Sequence, residues 1–188
     1  MKHLSGRRRA LVVAHPDDEA MWFAGAVIRH PGDWTIICCS IPLRDPARAY
    51  KFFDACHVLG AKGRLIPFQE SPATQPMKNL GLLDLSGFDV IVTHNRAGEY
   101  GHQHHRSVHE NIVTRWPDRV VVSGYGLGQP PDFEVALNDA QWQRKLDAIR
   151  CYDHVSPSDH GVPKSTALIA RYGATFNLRS EPYVCHRA

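Results

Sequence analysis

The residues best equipped for chemistry form a short run near the start of the chain, at positions 15–19. The imidazole of His15 is followed, after one proline, by the carboxylates of Asp17, Asp18 and Glu19. Carboxylates this close repel one another unless a positive group lies among them, and a divalent cation is the simplest such group. The structural alternative is that acidic residues are favoured in the first turn of a helix, where Asp17 could be the N-cap.

A second polar cluster, at residues 94–109, favours the metal interpretation because it is rich in histidine. His102 and His105 are three residues apart and would share one face of a helix, whereas His104 would point elsewhere. Two histidines, one carboxylate and an open position for water make up a catalytic zinc site. The same donors could also hold iron(II). The two clusters together therefore predict a metal site.

Each cluster directly follows a predicted strand, at residues 11–14 and 88–93. Strands and helices alternate along most of the chain, which predicts an α/β fold of three layers, Rossmann-like, with helices on both faces of a mostly parallel sheet. In open sheets of this kind, ligands bind at the carboxyl ends of the strands. We therefore expect the two clusters to meet at that edge.

The remaining elements are predicted from apolar periodicity and from the positions of glycine and proline. A length of 188 residues suits one domain spanning residues 1–188. No G-x-G-x-x-G follows the first strand, so a dinucleotide is not indicated, and the glycines at 124–130 indicate a loop. The other predicted strands are 34–40, 64–68, 119–123, 167–172 and 183–185; the helices are 19–30, 46–59, 102–116 and 139–152; and 70–83 is a loop at the rim of the site.

The composition excludes several classes of protein. With 43% hydrophobic and 22% charged residues, the chain is globular, and a net charge of +3 is too mild to indicate nucleic acid. The apolar runs are too short to span a membrane. Five cysteines without a C-x-x-C pair indicate reduced thiols in a soluble, cytoplasmic protein. The sequence leaves a homo-oligomer open.

The two motifs resemble those of the PIG-L or LmbE-like zinc deacetylases. The first motif of that family, A-H-P-D-D-E, is intact at residues 14–19. The second, Gly-His-x-x-His, is similar to residues 101–105, with Tyr100 just before it. The resemblance covers most of the chain, up to the helix at 145–152. It implies a metal-dependent amidohydrolase that removes an N-acetyl or other N-acyl group from an amino sugar or a glycosylated small molecule.

The resemblance also implies a cofactor and a ligand set. One Zn²⁺ per chain, or Fe²⁺ or another divalent ion in its place, would be held by His15, Asp18 and His105. Asp17 resembles the general base. The chemistry agrees with these roles, because zinc lowers the pKa of its bound water to roughly 7 and a neighbouring carboxylate can take the proton.

Four further residues receive roles at the substrate. His102 resembles the group that meets developing charge or the departing amine, and Tyr100 resembles a residue that polarises the carbonyl. Arg48 is similar to an arginine that holds the substrate, and Asn95 is a candidate for binding substrate or for supporting the site from behind. Where family members carry an acid before the last histidine, this chain has His104. We therefore expect His102 to be held differently or to share its role.

Three other functions remain open from the sequence. The enzyme could act on a non-sugar N-acyl intermediate of a biosynthetic pathway. The chain could also be a catalytically weak, sugar-binding relative, or a metal-dependent oxygenase. Metal-dependent amine release would separate an amidohydrolase from a binder, and oxygen consumption would identify an oxygenase.

Overall fold

The computed structural model describes residues 4–5, 8–41, 46–66, 72, 74–78, 80–153 and 163–186. Within the described residues, seven strands form one sheet at the centre of the fold. The strands are β1 (Arg8–Val13), β2 (Asp33–Cys38), β3 (Lys62–Leu65), β4 (Val90–Thr93), β5 (Val120–Ser123), β6 (Phe133–Ala136) and β7 (Ser180–Cys185).

The sheet has the strand order β3-β2-β1-β4-β5-β7-β6. The five strands β1 to β5 pair in parallel, and β7 alone runs antiparallel to both of its neighbours, β5 and β6. The prediction of a mostly parallel α/β sheet is therefore confirmed. Because β1 and β4 are parallel neighbours, the residues that follow them emerge at the same edge.

Helices cover both faces of the sheet. They are α1 (Asp18–Trp22), α2 (Ala24–Arg29), α3 (Ala47–Leu59), α4 (Gly98–Gly101), α5 (Gln103–Arg115), α6 (Asp139–Arg150) and α7 (Lys164–Gly173). Short 3-10 turns lie at Leu80–Leu82 and Pro117–Arg119. Within the described residues, no helix combines the length and apolar character needed to cross a bilayer.

The central strand β1 shows why three layers form. Alternate side chains of a strand point to opposite faces, and both faces of β1 are apolar. Leu11 and Val13 are fully buried in the core formed with α1, α2, α3 and α6. Ala10 and Val12 are fully buried on the other face, in the core that includes Val108 of α5.

One predicted helix, 19–30, is in fact two, because the backbone breaks at Phe23 (φ −134°, ψ −3°). The break turns the first amides of α2 toward β7, where Gly25 N and Ala26 N donate to the two carboxylate oxygens of Glu181 at 2.7 and 3.1 Å. A buried charge thus satisfies amides that a helix start leaves without intrahelical partners. No local signal in the sequence identifies a partner so far along the chain.

The last third of the chain departs most from prediction. The strand predicted at 167–172 is wrong, because these residues lie in α7. A short apolar run does not distinguish a strand from a helix by itself. Strand β6 was missed, and the strand predicted at 183–185 is longer, as β7.

Two other predicted boundaries are only partly testable. The strand predicted at 64–68 is observed as β3, and residues 67–68 lie outside the described residues. Of the predicted loop 70–83, positions 70, 71, 73 and 79 lie outside them as well. The remainder of that loop contains the Leu80–Leu82 turn.

Candidate metal centre and active site

A pocket of about 240 Å³ opens at the carboxyl ends of β1 and β4. The two polar clusters meet there, as expected from the parallel pairing of these strands. Most of the predicted site residues line it. The lining residues are His15, Asp17, Asp18, Met21, Trp22, Arg48, Tyr100, His102, Leu168 and Tyr172.

The first cluster is held in a strained turn between β1 and α1. Asp17 has φ 112°, a conformation that few residues other than glycine adopt, and a contact network supports it. Its amide donates to Glu19 Oε2 at 3.0 Å, and Tyr152 OH donates to Glu19 Oε1 at 2.6 Å. The fully buried Glu19 therefore holds the backbone of Asp17 in place.

The carboxylate of Asp17 is paired with Arg48, 2.5 Å from Oδ1 to a guanidinium nitrogen. Asp17 does occupy the N-cap position of α1, as the structural alternative supposed, but its side chain faces the pocket. Burial disfavours the charge on Arg48, but Asp17 beside it raises the pKa of the guanidinium. Arg48 is thus a permanent cation that orients the carboxylate of Asp17.

The second cluster begins with a distorted turn at α4, in which Glu99 has φ 54° and ψ −70°. His102 is extended (φ −70°, ψ 126°) and caps α5, its Nδ1 accepting from His104 N at 3.2 Å. It therefore lies outside the helix, yet its ring stacks on that of His105 with centroids 4.8 Å apart.

The prediction that His104 points elsewhere is wrong. Its Nδ1 lies 2.8 Å from Nε2 of His15, and its ring is fully buried. The prediction counted helical rotation from His102, but α5 starts one residue later, at Gln103. The rotation of about 100° per residue therefore does not apply to the first step.

The contacts of His105 give the clearest indication of a metal position. Its Nδ1 lies 2.6 Å from Glu99 Oε2, and because a carboxylate accepts, Nδ1 carries the proton. The lone pair is then on Nε2, which is buried and has no hydrogen-bond partner among the described residues. This Nε2 lies 3.3 Å from Asp18 Oδ1. A cation held between this acceptor and the Asp18 carboxylate would satisfy both groups.

The donor atoms have the spacing of a metal site. Asp18 Oδ2 lies 3.3 Å from His15 Nδ1, which matches the Asp18–His105 separation. Donors about 2.0–2.2 Å from a tetrahedral zinc lie roughly 3.3–3.5 Å apart. Two triplets of donor atoms converge within 4.8 Å, one of them His15, His102 and His105, the other Asp18, His94 and His105. Neither triplet contains His15, Asp18 and His105 together, but each of these three belongs to at least one triplet, and their donor types fit a zinc-type ion.

Burial alone would raise the pKa of Asp18, but the neighbouring histidines, His105 first, hold it well below its usual value. Asp18 is therefore an anion, as a metal ligand must be. Its oxygens lie between the two candidate histidine ligands, within 3.3 Å of each ring.

His94 is close to the same oxygen of Asp18, at 3.4 Å, but it is already satisfied. Its Nε2 accepts from Ala14 N at 3.0 Å, and its Nδ1 faces Glu99 Oε2 at 3.0 Å. With its lone pair occupied, His94 supports the site rather than offering a ligand atom. Glu99 thus anchors two histidine rings, and sequence reasoning missed it. The signal available was an acid lying between the histidines of the second cluster.

His102 is neutral in this environment. Burial, and then the nearby rings of His15 and His105, lower the pKa of His102 to about 3. Because Nδ1 accepts a backbone amide, the proton of the neutral ring is on Nε2. His102 is therefore suited to donate a hydrogen bond from Nε2 to an oxygen in the pocket.

An aromatic wall, formed by Trp22, Tyr100 and Tyr172, borders the pocket. The ring centroids of Tyr100 and Tyr172 are 4.9 Å apart, and those of Trp22 and Tyr100 are 5.8 Å apart. Burial raises the pKa of Tyr100, so its phenol keeps the proton and can donate. Tyr172 and Leu168 were missed because their helix, α7, was predicted as a strand.

Asn95 does not line the pocket among the described residues, and its predicted contact with substrate has no support from its position. It is fully buried, and its Nδ2 donates to Ser123 O and Tyr125 O at 3.0 and 2.6 Å. Its Oδ1 accepts from Ala97 N at 2.8 Å. Asn95 therefore joins the second cluster to the loop after β5, which is the supporting role also foreseen for it.

No protein-family model matches the chain. A curated relative, the uncharacterised protein L374 of Acanthamoeba polyphaga mimivirus, is 25% identical over 62% of this chain. The alignment covers 65% of that protein, so the chain spans about two thirds of its length.

Solved structures of deacetylases share the fold. The N,N'-diacetylchitobiose deacetylase of Pyrococcus horikoshii superposes with a TM-score of 0.67 at 15% identity, covering 95% of this chain and 83% of that one. The A40926 pseudoaglycone deacetylase Dbv21 gives a TM-score of 0.61 at 13% identity, covering 97% and 99%.

The solved structure of an enzyme that catalyses a different reaction shares this fold too. The 4-carboxy-2-hydroxymuconate hydratase GalB of Pseudomonas putida KT2440 gives a TM-score of 0.58 at 15% identity, covering 94% and 95%. At such low identity these likenesses show the fold, and the fold does not determine the reaction. The reaction has to be inferred from the residues of the site.

Proposed function

We propose that the chain is a metal-dependent amidohydrolase of the PIG-L or LmbE-like family, which removes an N-acetyl or other N-acyl group from an amino sugar or glycosylated small molecule. The observation that carries this proposal is the buried, unpartnered Nε2 of His105 facing Asp18, beside the pocket that Asp17 lines. A metal position next to a second carboxylate that can accept a proton is what hydrolysis by an activated water requires.

The metal would be held by His15, Asp18 and His105. When bound, it would supply a Lewis acid and a water of lowered pKa. Glu99 supports this assignment, because a carboxylate on Nδ1 of His105 fixes the ring orientation and makes Nε2 a better donor to a metal.

Asp17 would take the proton of the attacking water and pass it to the departing amine. Arg48 holds the orientation of the Asp17 carboxylate, and Glu19 holds the strained backbone of Asp17. A positioned acid–base group of this kind contributes roughly 10² to 10⁴-fold to the rate.

The oxyanion of the tetrahedral intermediate would be stabilised by donors that are already in position. His102 Nε2–H and the phenol of Tyr100 both border the pocket. Because His102 is neutral, we assign it to hydrogen bonding at the oxyanion rather than to proton delivery at the amine. This narrows the two roles that the sequence left open for it.

The residues that line the pocket favour a ring-shaped substrate. Trp22 and Tyr172 supply aromatic lining, and Arg48 supplies a polar group. Pockets that combine an aromatic wall with a few fixed polar groups suit amphipathic rings such as sugars. One of the deacetylases with the same fold acts, by its name, on a sugar, N,N'-diacetylchitobiose, which agrees with this class.

The test is a screen for free amine with zinc-loaded protein and its chelator-treated counterpart. N-acetylglucosamine, N,N'-diacetylchitobiose and N-acetylated glycopeptide aglycones form the sugar arm, and N-acetylated amino acids form the non-sugar arm. We expect amine release from the sugar arm only when metal is bound. Release from the non-sugar arm alone would move the substrate class to a biosynthetic N-acyl intermediate. Binding of sugars without amine release, or oxygen consumption instead, would refute the amidohydrolase.

A further inference from the structure

We propose that His104 is a positioning residue that fixes the tautomer of His15 and so selects Nδ1 as the atom with which His15 binds the metal. The inference rests on the metal site of the proposed function and is independent of which acyl substrate is hydrolysed. It gives a role to the one position of the second motif at which this chain departs from the family it resembles.

The first step is the contact between His104 and a backbone carbonyl. His104 Nε2 lies 3.2 Å from Pro72 O, and a carbonyl oxygen only accepts hydrogen bonds. Nε2 of His104 therefore carries a proton. In a neutral imidazole the other nitrogen, Nδ1, then has the lone pair and acts as an acceptor.

The second step passes this polarity to His15. His104 Nδ1 lies 2.8 Å from His15 Nε2, in a buried contact, so the proton between the two rings belongs to His15. His15 Nδ1 is left with the lone pair. That atom lies 3.3 Å from Asp18 Oδ2, and the other oxygen of the same carboxylate lies 3.3 Å from His105 Nε2.

The two candidate histidine ligands are thereby fixed at opposite ring nitrogens. Glu99 holds the proton on Nδ1 of His105 and leaves Nε2 for the metal, and His104 holds the proton on Nε2 of His15 and leaves Nδ1. Partners that hold the second nitrogen of a ligating histidine typically influence metal affinity by 10 to 100-fold. A neutral imidazole performs this function here for His15.

The test uses two substitutions, each of which imitates one ring nitrogen of His104. In His104→Asn the amide oxygen replaces the acceptor Nδ1, whereas in His104→Gln the amide nitrogen reaches the position of Nε2 and the acceptor is lost. His109→Gln, one turn along the same helix, is the matched control, because His109 donates to the backbone oxygen of His94 and contacts no candidate ligand among the described residues.

Zinc affinity is measured by competition with a chelator, on variants whose metal-free forms unfold cooperatively. We expect His104→Gln to bind zinc roughly 10 to 100-fold more weakly than wild type, and His104→Asn and His109→Gln to stay close to wild type. Equal affinities for His104→Gln and wild type, or equal losses for both His104 variants, would overturn the proposal.

Long-range ¹H–¹⁵N NMR of the zinc-loaded wild type, labelled at histidine nitrogen, tests the tautomer without any substitution. We expect His15 to carry its proton on Nε2 and to bind zinc through Nδ1; the reverse assignment would overturn the proposal even if both variants fail to fold. A protein that shows this tautomer but hydrolyses no amide would leave the inference standing and remove the proposed function. A protein that binds no zinc would remove both.

Discussion

Asp17 and Asp18 are adjacent in the chain but lie in different surroundings, and their replacement should have different consequences. Asp18 lies within 3.3 Å of both candidate histidine ligands, whereas Asp17 is paired with Arg48 at the pocket. The first is placed to hold a cation and the second to exchange a proton. Replacing each aspartate by asparagine separates these roles, because asparagine keeps the shape of the side chain and removes its charge.

We predict that Asp17→Asn keeps its zinc and loses roughly 10² to 10⁴-fold in kcat, because only proton acceptance is removed. Asparagine tolerates a positive φ about as well as aspartate, so the turn should survive. Asp18→Asn should instead lose metal first, because a ligand charge is removed. Metal content by elemental analysis and turnover, measured on the same samples, distinguish the two outcomes. A fully active Asp17→Asn protein with normal zinc would show that the base is another residue.

Single residues are also where prediction from the sequence was least complete. The residue types and positions of the two polar clusters, at 15–19 and 94–109, were sufficient to nominate a metal site, and the family resemblance supplied the ligand set. The partners of the candidate histidine ligands, Glu99 and His104, were not recognised, because their contacts depend on a distorted turn that no propensity encodes. The orientation of a side chain at the start of a helix depends on where the helix begins, and sequence patterns do not fix that residue.

At the scale of elements, the loop after β5 supports the second cluster from behind. Gly126 (φ +71°) and Gly128 (φ +68°) in this loop have almost the same positive φ. A Cβ added at Gly126 would overlap the carbonyl oxygen of Glu99, whereas one added at Gly128 would meet nothing within 4 Å. Alanine at Gly128 would therefore report the free-energy cost of backbone strain alone, whereas alanine at Gly126 would add the cost of displacing Glu99.

We predict that Gly128→Ala costs about 1–2 kcal/mol of unfolding free energy, the price of a left-handed alanine. Gly126→Ala should cost roughly 1–3 kcal/mol more, because it must displace a packed backbone. It should also weaken zinc binding, because Glu99 holds Nδ1 of His105. Denaturant unfolding and zinc competition measure the two effects. The same zinc affinity in both variants would contradict the link from this loop to the metal site.

A buried ion pair joins three other elements. Lys145 of α6 and Glu181 of β7 are both fully buried, with Nζ and Oε1 2.7 Å apart, and Glu181 also receives the first amides of α2. Tyr183 OH donates to the same carboxylate at 2.6 Å. Burial lowers the pKa of Lys145, and Glu181 opposes that effect, so the two charges depend on each other.

We predict that Lys145→Met lowers the free energy of unfolding by about 3–5 kcal/mol, because it leaves a buried carboxylate without its cation. The control is Lys62→Met, which removes an ion pair with Asp33 whose side chains are 76% and 46% exposed. That loss should stay below about 1 kcal/mol. Urea unfolding of both variants gives the comparison. Similar losses would mean that the buried pair contributes no more than a surface contact.

For the molecule as a whole, the order of strands and helices along the chain was the best guide to the fold. Strands that alternate with helices are almost obliged to pair in parallel, and that pairing brings two distant clusters to one edge. The addition of β7 and β6 at the far side of the sheet was not predictable in this way, because β6 is only four residues long and pairs with a strand far along the chain. The missed helix α7 matters most, because it supplies one side of the pocket.

Titration of zinc into metal-free protein, with release of free amine from an N-acetylated amino sugar followed at each step, tests the central claim most directly. We predict that the hydrolysis rate rises in proportion to bound zinc and levels off at one zinc per chain, because we propose a single site, held by His15, Asp18 and His105. Amide hydrolysis that is undiminished in the metal-free protein would contradict the account, as would a fully zinc-loaded protein that releases no amine.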